Sequence, residues 1–366
     1  MKKIDFLRKK YPRFVYEKYF YRVSKNNLKI FFNFKIYHEN GSRSINLQPK
    51  IIIPLSRSDL DRGRSDLQKL DNLIFHLGLV EIPSYWKATC SPKIIIKAGY
   101  LDEKQIQWWQ DLFVQGMGQF FYENKIDWRN PNFLKIDCAE SDSAQSKSAR
   151  FDLNGGRSNL YLVPIGGGKD SIVTLEKLKE RKKRIGCFLV NPTEAAKDVV
   201  RISGIKDLII VRRKIDPTLL ELNNKGYLNG HTPITAVLSF LSLFCAVLFD
   251  YQRIVFSNEK SADEGNVRYL GKIINHQWSK SSEFEKMFRQ YSKKYLTSQV
   301  EYFSFLRKYT ELEIAGMFAE YPRYFPVFSS CNLVVSKKLN RRWCGNTPKS
   351  LFVYATLYPF IEKGQI

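Results

Sequence analysis

The chain has 366 residues, of which 44% are hydrophobic and 26% charged, and its 26 Phe, 20 Tyr and 6 Trp exclude a chain that is mainly disordered. No apolar run reaches the roughly 18 residues that a membrane span needs, so we expect no membrane insertion. The net charge of +23 predicts attraction to polyanions or phosphorylated molecules, and lysine-rich usage from an AT-rich genome explains it equally well.

The N-terminal part of the chain mixes strand and helix patterns. Its first residues are basic but lack the apolar stretch of a signal peptide, and the six cysteines form no Cys-x-x-Cys pair, which together predict a cytoplasmic protein. Aromatic and β-branched residues predict a strand over Lys29–Tyr37, a hairpin turn at Asn40-Gly41 and a partner strand over Gln48–Leu55. Apolar residues at helical spacing predict a helix over Leu101–Tyr122, packed between two layers.

A change of composition marks a domain boundary near residue 150. Residues 138–159 are rich in Ser, Asp, Gly and Asn and poor in large apolar side chains, which is typical of a linker. We therefore predict a smaller α+β domain over residues 1–150 and an α/β domain over residues 151–366.

The second domain alternates strands and helices. Strands are predicted at Leu160–Ile165, Ile185–Val190, Asp207–Val211 and Arg253–Ser257, and helices at Ile172–Lys183, Ala195–Ile202 and Thr232–Phe249. This alternation indicates a parallel sheet covered on both faces, and therefore an α/β fold.

Three glycines stand between the first of these strands and its helix. The backbone N–H groups of Gly166, Gly167 and Gly168 can turn toward an anion, and the helix N-terminus adds its partial positive charge. The pattern is not a dinucleotide fingerprint, because no glycine follows Gly168 three residues later. The segment therefore predicts a phosphate-binding loop.

The next three residues carry polar side chains suited to the same ligand. Lys169 supplies a positive charge for phosphate oxygens, Asp170 is a candidate Mg²⁺ ligand, and Ser171 is suited to cap the helix or donate to a phosphate. A Walker A loop is excluded, because an aspartate rather than serine or threonine follows the lysine.

The segment Gly166–Ser171 resembles the pyrophosphate-binding loop of the PP-loop ATPases, which usually reads Ser-Gly-Gly-x-Asp-Ser, with Gly166 at the serine position. These enzymes adenylate a substrate and release pyrophosphate. The resemblance implies a PP-loop-type fold, similar to the adenine nucleotide alpha hydrolases, for the second domain. It also implies ATP and Mg²⁺ as cofactors.

Further polar motifs follow in a fixed order. They are Gly230-His-Thr-Pro233, Ser257-Asn-Glu-Lys-Ser-Ala262, Asn275-His-Gln-Trp-Ser-Lys-Ser-Ser-Glu-Phe-Glu285, Ser330-Cys-Asn332 and Trp343-Cys-Gly345. With the glycine loop, and with Ser84–Lys87 and Gly116–Asp127 upstream, this ordered set resembles the MurL family. The resemblance covers most of the chain from about residue 80.

The resemblance implies a reaction on a UDP-linked muramoyl dipeptide of peptidoglycan synthesis. Members are similar to the epimerase that activates the terminal L-glutamate with ATP, releases AMP and pyrophosphate, and inverts that glutamate to D. Activation favours inversion, because removing the Cα proton beside a free carboxylate builds a second negative charge. The first domain then has a substrate-binding role and the second is catalytic.

Catalytic roles fall on four residues under this resemblance. His276 is the preferred acid–base group, since imidazole titrates near neutral pH, and its alternative role is a hydrogen bond to neighbouring backbone. Cys331 is the candidate for the opposite face, with a small core residue as its alternative. Lys280 is assigned to bind phosphate or carboxylate, and its alternative is a solvated surface charge. Glu259 is assigned to bind Mg²⁺ or ribose, and its alternative is a solvated loop carboxylate.

Two further residues are assigned to ATP and metal. Asp263 shares the roles of Glu259 and joins Asp170 as a metal ligand. His231 either orders the ATP site or caps the helix that follows.

The C-terminal region departs from the family pattern. Thr347 and Ser350 stand where relatives carry cysteines, and the chain ends at Ile366, earlier than family chains. We expect no structural zinc there, because hydroxyl groups are poor zinc ligands. We expect the C-terminal segment to pack through four aromatic side chains, Trp343, Phe352, Tyr354 and Phe360.

Two other functions stay open. One is a PP-loop enzyme that adenylates a tRNA or nucleobase, which the charge of +23 favours, although the chain has no recognisable RNA-binding appendage. The other is a catalytically impaired nucleotide-binding relative, which the C-terminal departures favour. We expect no stable nucleic-acid partner, and the sequence leaves the oligomeric state open.

Overall fold

The computed structural model describes residues 2–41, 43–55, 70–138, 159–329 and 347–362. Across these residues the chain forms eleven α-helices and thirteen β-strands. No helix in this described part is both long and apolar enough to cross a membrane. The predicted residues Cys331 and Trp343 lie outside the described ranges.

The elements follow one another in this chain order: α1 (Lys3–Lys10), β1 (Arg13–Val23), β2 (Asn27–Tyr37), β3 (Ser44–Leu47), β4 (Lys50–Pro54), α2 (Asp71–Trp86), β5 (Lys93–Ile96), α3 (Glu103–Gly116), α4 (Gly118–Glu123), β6 (Lys135–Cys138), β7 (Leu160–Pro164), α5 (Lys169–Glu180), β8 (Arg184–Val190), α6 (Glu194–Ser203), β9 (Leu208–Lys214), α7 (Pro217–Asn224), α8 (Ile234–Leu248), β10 (Arg253–Phe256), β11 (Val267–Tyr269), β12 (Lys272–Ile274), α9 (Ser282–Tyr291), β13 (Glu301–Ser304), α10 (Glu311–Ala319) and α11 (Pro348–Leu357).

The chain divides into two compact units, and both are discontinuous. Unit 1 comprises residues 1–152, 212–244 and 263–298, and unit 2 comprises residues 153–211, 245–262 and 299–366. The sequence predicted two contiguous domains, and only the first change of unit lies near its boundary at residue 150. Two of the later changes fall within β9 and α8, where regular structure continues and no linker composition marks a boundary.

Unit 1 contains a mixed sheet in the order β6-β5-β1-β2-β4, with β3 also paired to β2 and residues 212–214 paired to β4. Strands β2 and β4 confirm the strands predicted over Lys29–Tyr37 and Gln48–Leu55. The turn at Asn40-Gly41 leads into β3 rather than directly into β4. Strand β1, which pairs with β2 from Leu28 to Tyr37, was not predicted.

Helix α2 is the centre of unit 1 and is buried on all sides from Asn72 to Trp86. On the sheet side, the rings of Tyr16 and Phe75 stack with centroids 5.9 Å apart. A Cβ on Gly78 would lie 2.0 Å from the Tyr16 hydroxyl, so this close approach requires glycine. Helix α2 was not predicted from the sequence, because a helix that is buried all round has no polar face to give it a helical pattern.

The helix predicted over Leu101–Tyr122 is divided at Met117 into α3 and α4. A capping box between Asp102 and Gln105 begins α3, which satisfies backbone N–H groups at its N-terminus. Gln107, Asp111 and Gln115 are exposed, so α3 has a solvent face. The prediction that this helix is covered on both sides was therefore wrong.

Unit 2 contains a parallel sheet in the order β13-β10-β7-β8, extended by residues 208–211 of β9. Numbered along unit 2, this order is 5-4-1-2-3, the doubly wound arrangement in which ligands bind where the order reverses, between β7 and β10. The four predicted strands and the α/β class are confirmed. The short strand β13 was not predicted, and the PP-loop-type fold stays a prediction.

Candidate functional site

The glycine loop lies at the reversal point of the unit 2 sheet, between β7 and α5. Gly167 has a φ of +90°, and a Cβ there would lie 2.8 Å from the backbone nitrogen of Ala196, so only glycine fits. Gly168 is the N-cap of α5 and provides no side-chain cap to the helix N–H groups. The carbonyl of Gly167 accepts a hydrogen bond from the Ser329 nitrogen at 2.9 Å, which fixes the loop.

Lys169, the first residue of α5, is only 5% exposed. Its Nζ donates to Asp170 Oδ1 at 2.6 Å and also to Glu311, the first residue of α10. Burial opposes the charged form, but these two carboxylates outweigh it and raise the pKa of Lys169. The lysine is therefore held at the loop as a cation. Ser171 donates to the Gly168 carbonyl at 2.9 Å and so stabilises the turn.

Glu311 completes this cluster and was not predicted. Burial raises the pKa of its carboxyl group, Lys169 opposes that shift, and Asp170 and Glu259 add to it. Glu259 is buried after β10, where its side chain accepts from Ser261 Oγ at 3.1 Å. The segments that follow β7, β10 and β13 thus bring one lysine and three carboxylates together.

A second cluster lies within unit 1, around His231. Burial lowers the pKa of His231, and the positive potential of His276, Lys87 and Lys280 lowers it further against the opposing charge of Glu123. Helix α8 begins three residues after His231, at Ile234. These interactions associate His231 with the predicted residues His276 and Lys280.

His276 precedes a short helical turn over Trp278–Lys280 and is exposed. Its backbone nitrogen donates to Asn266 Oδ1 at 2.8 Å. Partial burial and the nearby charge of Lys280 lower the pKa of the imidazole. Lys280 donates to Gln277 Oε1 at 2.7 Å, which holds its charge near this histidine.

Asp263 lies in unit 1, whereas Asp170 lies in unit 2. The Asp263 carboxylate accepts a hydrogen bond from the Ser282 nitrogen at 2.6 Å, at the start of α9. Within the described ranges, no three His, Cys, Asp or Glu side chains form a group suited to a metal ion. The metal roles of Asp170 and Asp263 stay predictions.

Thr347 and Ser350, which stand where relatives carry cysteines, have structural roles in unit 2. Thr347 is the N-cap of α11, and its hydroxyl accepts from the Ser350 nitrogen at 3.3 Å. Helix α11 buries Val353 and Leu357, while Phe352 is 50% exposed. The prediction that Phe352 and Tyr354 pack on this domain was therefore wrong, because they are 50% and 43% exposed. Phe360 does pack on α10, where a Cβ on Gly316 would lie 3.3 Å from its ring.

Unit 1 also contains a cavity of about 780 Å³ along the polar face of α3. The β11–β12 hairpin, the loop after α4 and the start of α9 form its other walls. Arg129 and Lys272 line it together with Asp111 and Glu283, and Trp128 supplies an aromatic surface. Its volume is within the range of small-molecule pockets.

Unit 2 is thus a doubly wound α/β unit with a glycine loop at the point where its strand order reverses. A family model described as the MurL N-terminal domain matches residues 5–305, and the chain belongs to this family. The family resemblance seen in the ordered motifs is confirmed.

Three curated relatives support the same assignment, and each is named UDP-N-acetyl-alpha-D-muramoyl-L-alanyl-L-glutamate epimerase. The protein of Xanthomonas oryzae pv. oryzae is 32% identical over 79% of this chain. Those of a Micromonospora species and Salinispora tropica are 34% and 33% identical over 77% and 86%. The matched part spans 63%, 62% and 67% of these relatives' own lengths.

Proposed function

We propose that the chain is an ATP-dependent epimerase that inverts the terminal L-glutamate of UDP-N-acetylmuramoyl-L-alanyl-L-glutamate in peptidoglycan precursor synthesis. The supporting observation is the Lys169 cluster at the reversal point of the sheet, in a chain at least 32% identical to relatives with this name. The reaction has three parts: adenylation of the carboxylate, which releases pyrophosphate, proton transfer at Cα, and hydrolysis of the acyl-adenylate, which releases AMP and restores the carboxylate.

The glycine loop is suited to ATP phosphates. The sharp turn at Gly167 leads into the N-terminus of α5, and a Cβ on Gly166 would meet nothing within 4 Å, which leaves space at the loop surface. Lys169 is already a cation, so it can stabilise negative charge that develops as pyrophosphate leaves. Asp170 and Glu259 are the carboxylates we assign to Mg²⁺, which would neutralise phosphate charge.

Proton transfer requires a group that is uncharged before it takes the Cα proton. The lowered pKa of His276 keeps its imidazole neutral near pH 7, as a general base requires. Adenylation removes the negative charge of the adjacent carboxylate, so the carbanion that forms is less unfavourable. Lys280, next to His276, supplies positive charge for the same intermediate. The sequence predicts Cys331 as the group on the opposite face of Cα, and this residue lies outside the described ranges.

The cavity beside α3 is our candidate for binding the nucleotide-sugar part of the substrate. Its volume suits a large ligand, and Arg129 and Lys272 supply positive charge for a diphosphate. Trp128 offers an aromatic surface for the uracil base. This assignment retains the predicted substrate-binding role for the N-terminal part of the chain.

The direct test incubates the chain with ATP, Mg²⁺ and the L-epimer of the muramoyl dipeptide nucleotide, followed by chiral analysis of the glutamate. Lys169→Met should lower AMP release by about a hundredfold, as for loss of a preorganised charge. Lys177→Met, which removes a lysine farther along the same helix, is the matched control. His276→Asn should spare adenylation and suppress exchange of the α-proton of the L-epimer with solvent. Absence of D-glutamate with the unaltered chain would contradict the proposed function.

The net charge of +23 favours one alternative, adenylation of a tRNA or nucleobase by the same loop. AMP release that depends on added tRNA and not on the muramoyl nucleotide would identify that activity. A chain that releases no AMP with either substrate would instead be a catalytically impaired relative.

A further inference from the structure

Lys87 is a buried lysine in the His231 cluster, and the proposed reaction assigns it no role. It follows the last residue of α2 and is only 9% exposed. Its Nζ donates a hydrogen bond to the Gly230 carbonyl at 2.9 Å, next to His231 in the chain. A Cβ on Gly230 would lie 2.9 Å from a Glu123 carboxylate oxygen, so glycine allows that carboxylate to lie close.

The surroundings of Lys87 include a fixed positive charge. Arg213 on β9 donates to both carboxylate oxygens of Glu81 at 2.6 Å and to Ser84 Oγ at 2.9 Å. Because Glu81 is 1% exposed, this bidentate ion pair holds the guanidinium in place. The Arg213 charge therefore acts on Lys87 from a defined position.

Burial and Arg213 lower the pKa of Lys87 to about 8, against the opposing effect of Glu123 on α4. At mildly alkaline pH a large fraction of this amine is neutral and can accept a proton. His231, on the segment before α8, is the titratable neighbour whose pKa is lowered both by His276 and by Lys87. The cluster thus contains an amine and two imidazoles that are each shifted toward the neutral form.

We infer that Lys87 is a second proton-transfer residue of this epimerase, acting on one face of the glutamate Cα while His276 acts on the other. The inference rests on the proposed function, because inversion needs a proton removed from one face and returned to the opposite one. A lysine and a histidine in one cluster supply two such groups.

The step balances in protons and electrons. With the carboxylate of the L-epimer activated by adenylation, the neutral imidazole of His276 takes the Cα proton and becomes an imidazolium ion. The electron pair left on carbon delocalises onto the acyl oxygen. The ammonium group of Lys87 then gives a proton to the other face, and both groups regain their starting states by exchange with water. The reverse direction exchanges the two roles.

The test uses the whole chain, ATP, Mg²⁺ and the L- and D-epimers of the nucleotide substrate in deuterated water. Lys87→Met and His276→Asn should each lower epimerisation at least a hundredfold while AMP release is retained. Each variant should still exchange the α-proton of one epimer, and the two variants should retain opposite epimers. This pattern arises because the remaining base still removes and returns a proton on its own face.

Lys87→Arg separates proton transfer from charge and structure. Arginine keeps the positive charge and a donor toward Gly230 but does not lose its proton at working pH. Recovery of epimerisation by Lys87→Arg would overturn the inference. It would also be overturned if Lys87→Met, with normal AMP release, exchanged the α-proton of both epimers or of neither. If the unaltered chain makes no D-glutamate, the proposed function fails. If the unaltered chain does and Lys87→Met matches it, only this inference fails.

Discussion

Protonation of His76 should destabilise unit 1 as the pH falls below neutrality. His76 lies on α2 and is 1% exposed. Its Nδ1 donates to the Asn72 carbonyl at 2.7 Å, and its Nε2 accepts from the Tyr291 hydroxyl at 2.8 Å. That hydroxyl also accepts from Gln105 and from Trp109, each at 3.0 Å. A hydroxyl that accepts twice must donate to His76, so the network requires the neutral imidazole.

The magnitude follows from two pKa values. Burial lowers the pKa of His76 to about 4, from an ordinary value of 6.5. Between these values the unfolded chain binds more protons than the folded one, so the free energy of unfolding falls as the pH falls. At 1.36 kcal/mol per pKa unit, the loss from pH 7 to pH 5 is about 2 kcal/mol, and the limit below pH 4 is about 3 kcal/mol.

Urea unfolding followed by tryptophan fluorescence measures this loss of unfolding free energy in unit 1. Five of the six tryptophans lie in unit 1, among them Trp109 beside His76. The variant His76→Gln does not titrate in this range, so its unfolding free energy should fall about 2 kcal/mol less between pH 7 and pH 5. His38→Gln, near the surface, is the control and should keep the full loss. Equal pH dependence in the unaltered chain and His76→Gln would refute the reasoning.

Three other substitutions test structural features of the two units. Gly167→Ala should destabilise the loop by at least about 1–2 kcal/mol and weaken ATP binding, because alanine disfavours a positive φ. The control is Gly166→Ala, whose Cβ would lie in open space, and it should preserve stability in the same urea titration. Arg213→Met should cost about 3–5 kcal/mol by leaving Glu81 buried and unpaired, and adding Glu81→Met should recover much of that loss if the pairing is responsible. Thr347→Ala should cost about 1 kcal/mol of unfolding free energy by removing the cap of α11, and an unchanged value would show that the cap contributes nothing.

The fold could be predicted from sequence where each element has its own local signal. The strands of unit 2 are short β-branched runs bounded by turns, and four of the five were predicted at nearly their observed positions. Helix α2 has no such signal, because tertiary burial on all sides removes the polar face. The discontinuous units could not be predicted either, since β9 continues without a break through one change of unit.

The candidate site shows the same distinction between local and distant information. The glycine loop was found because all six of its residues are consecutive, from Gly166 to Ser171. Glu311 was missed because it lies 142 residues from its partner Lys169, and Lys87 is 143 residues from Gly230. A signal for Lys87 did exist in the sequence. A lysine that directly follows a long apolar stretch has few ways to reach water, so it is a candidate for an altered pKa.

The two clusters shift the pKa of a buried lysine in opposite directions, and each direction suits one part of the proposed reaction. Adenylation needs a permanent cation beside phosphate, and two carboxylates raise the pKa of Lys169, so it stays charged. Inversion needs a group that takes up and releases a proton, and burial with Arg213 lowers the pKa of Lys87 into the range where it does so. The same side chain is therefore suited to charge stabilisation or to proton transfer according to the charges of its neighbours. Motif spacing reveals the residue type, whereas only the folded chain reveals those neighbours.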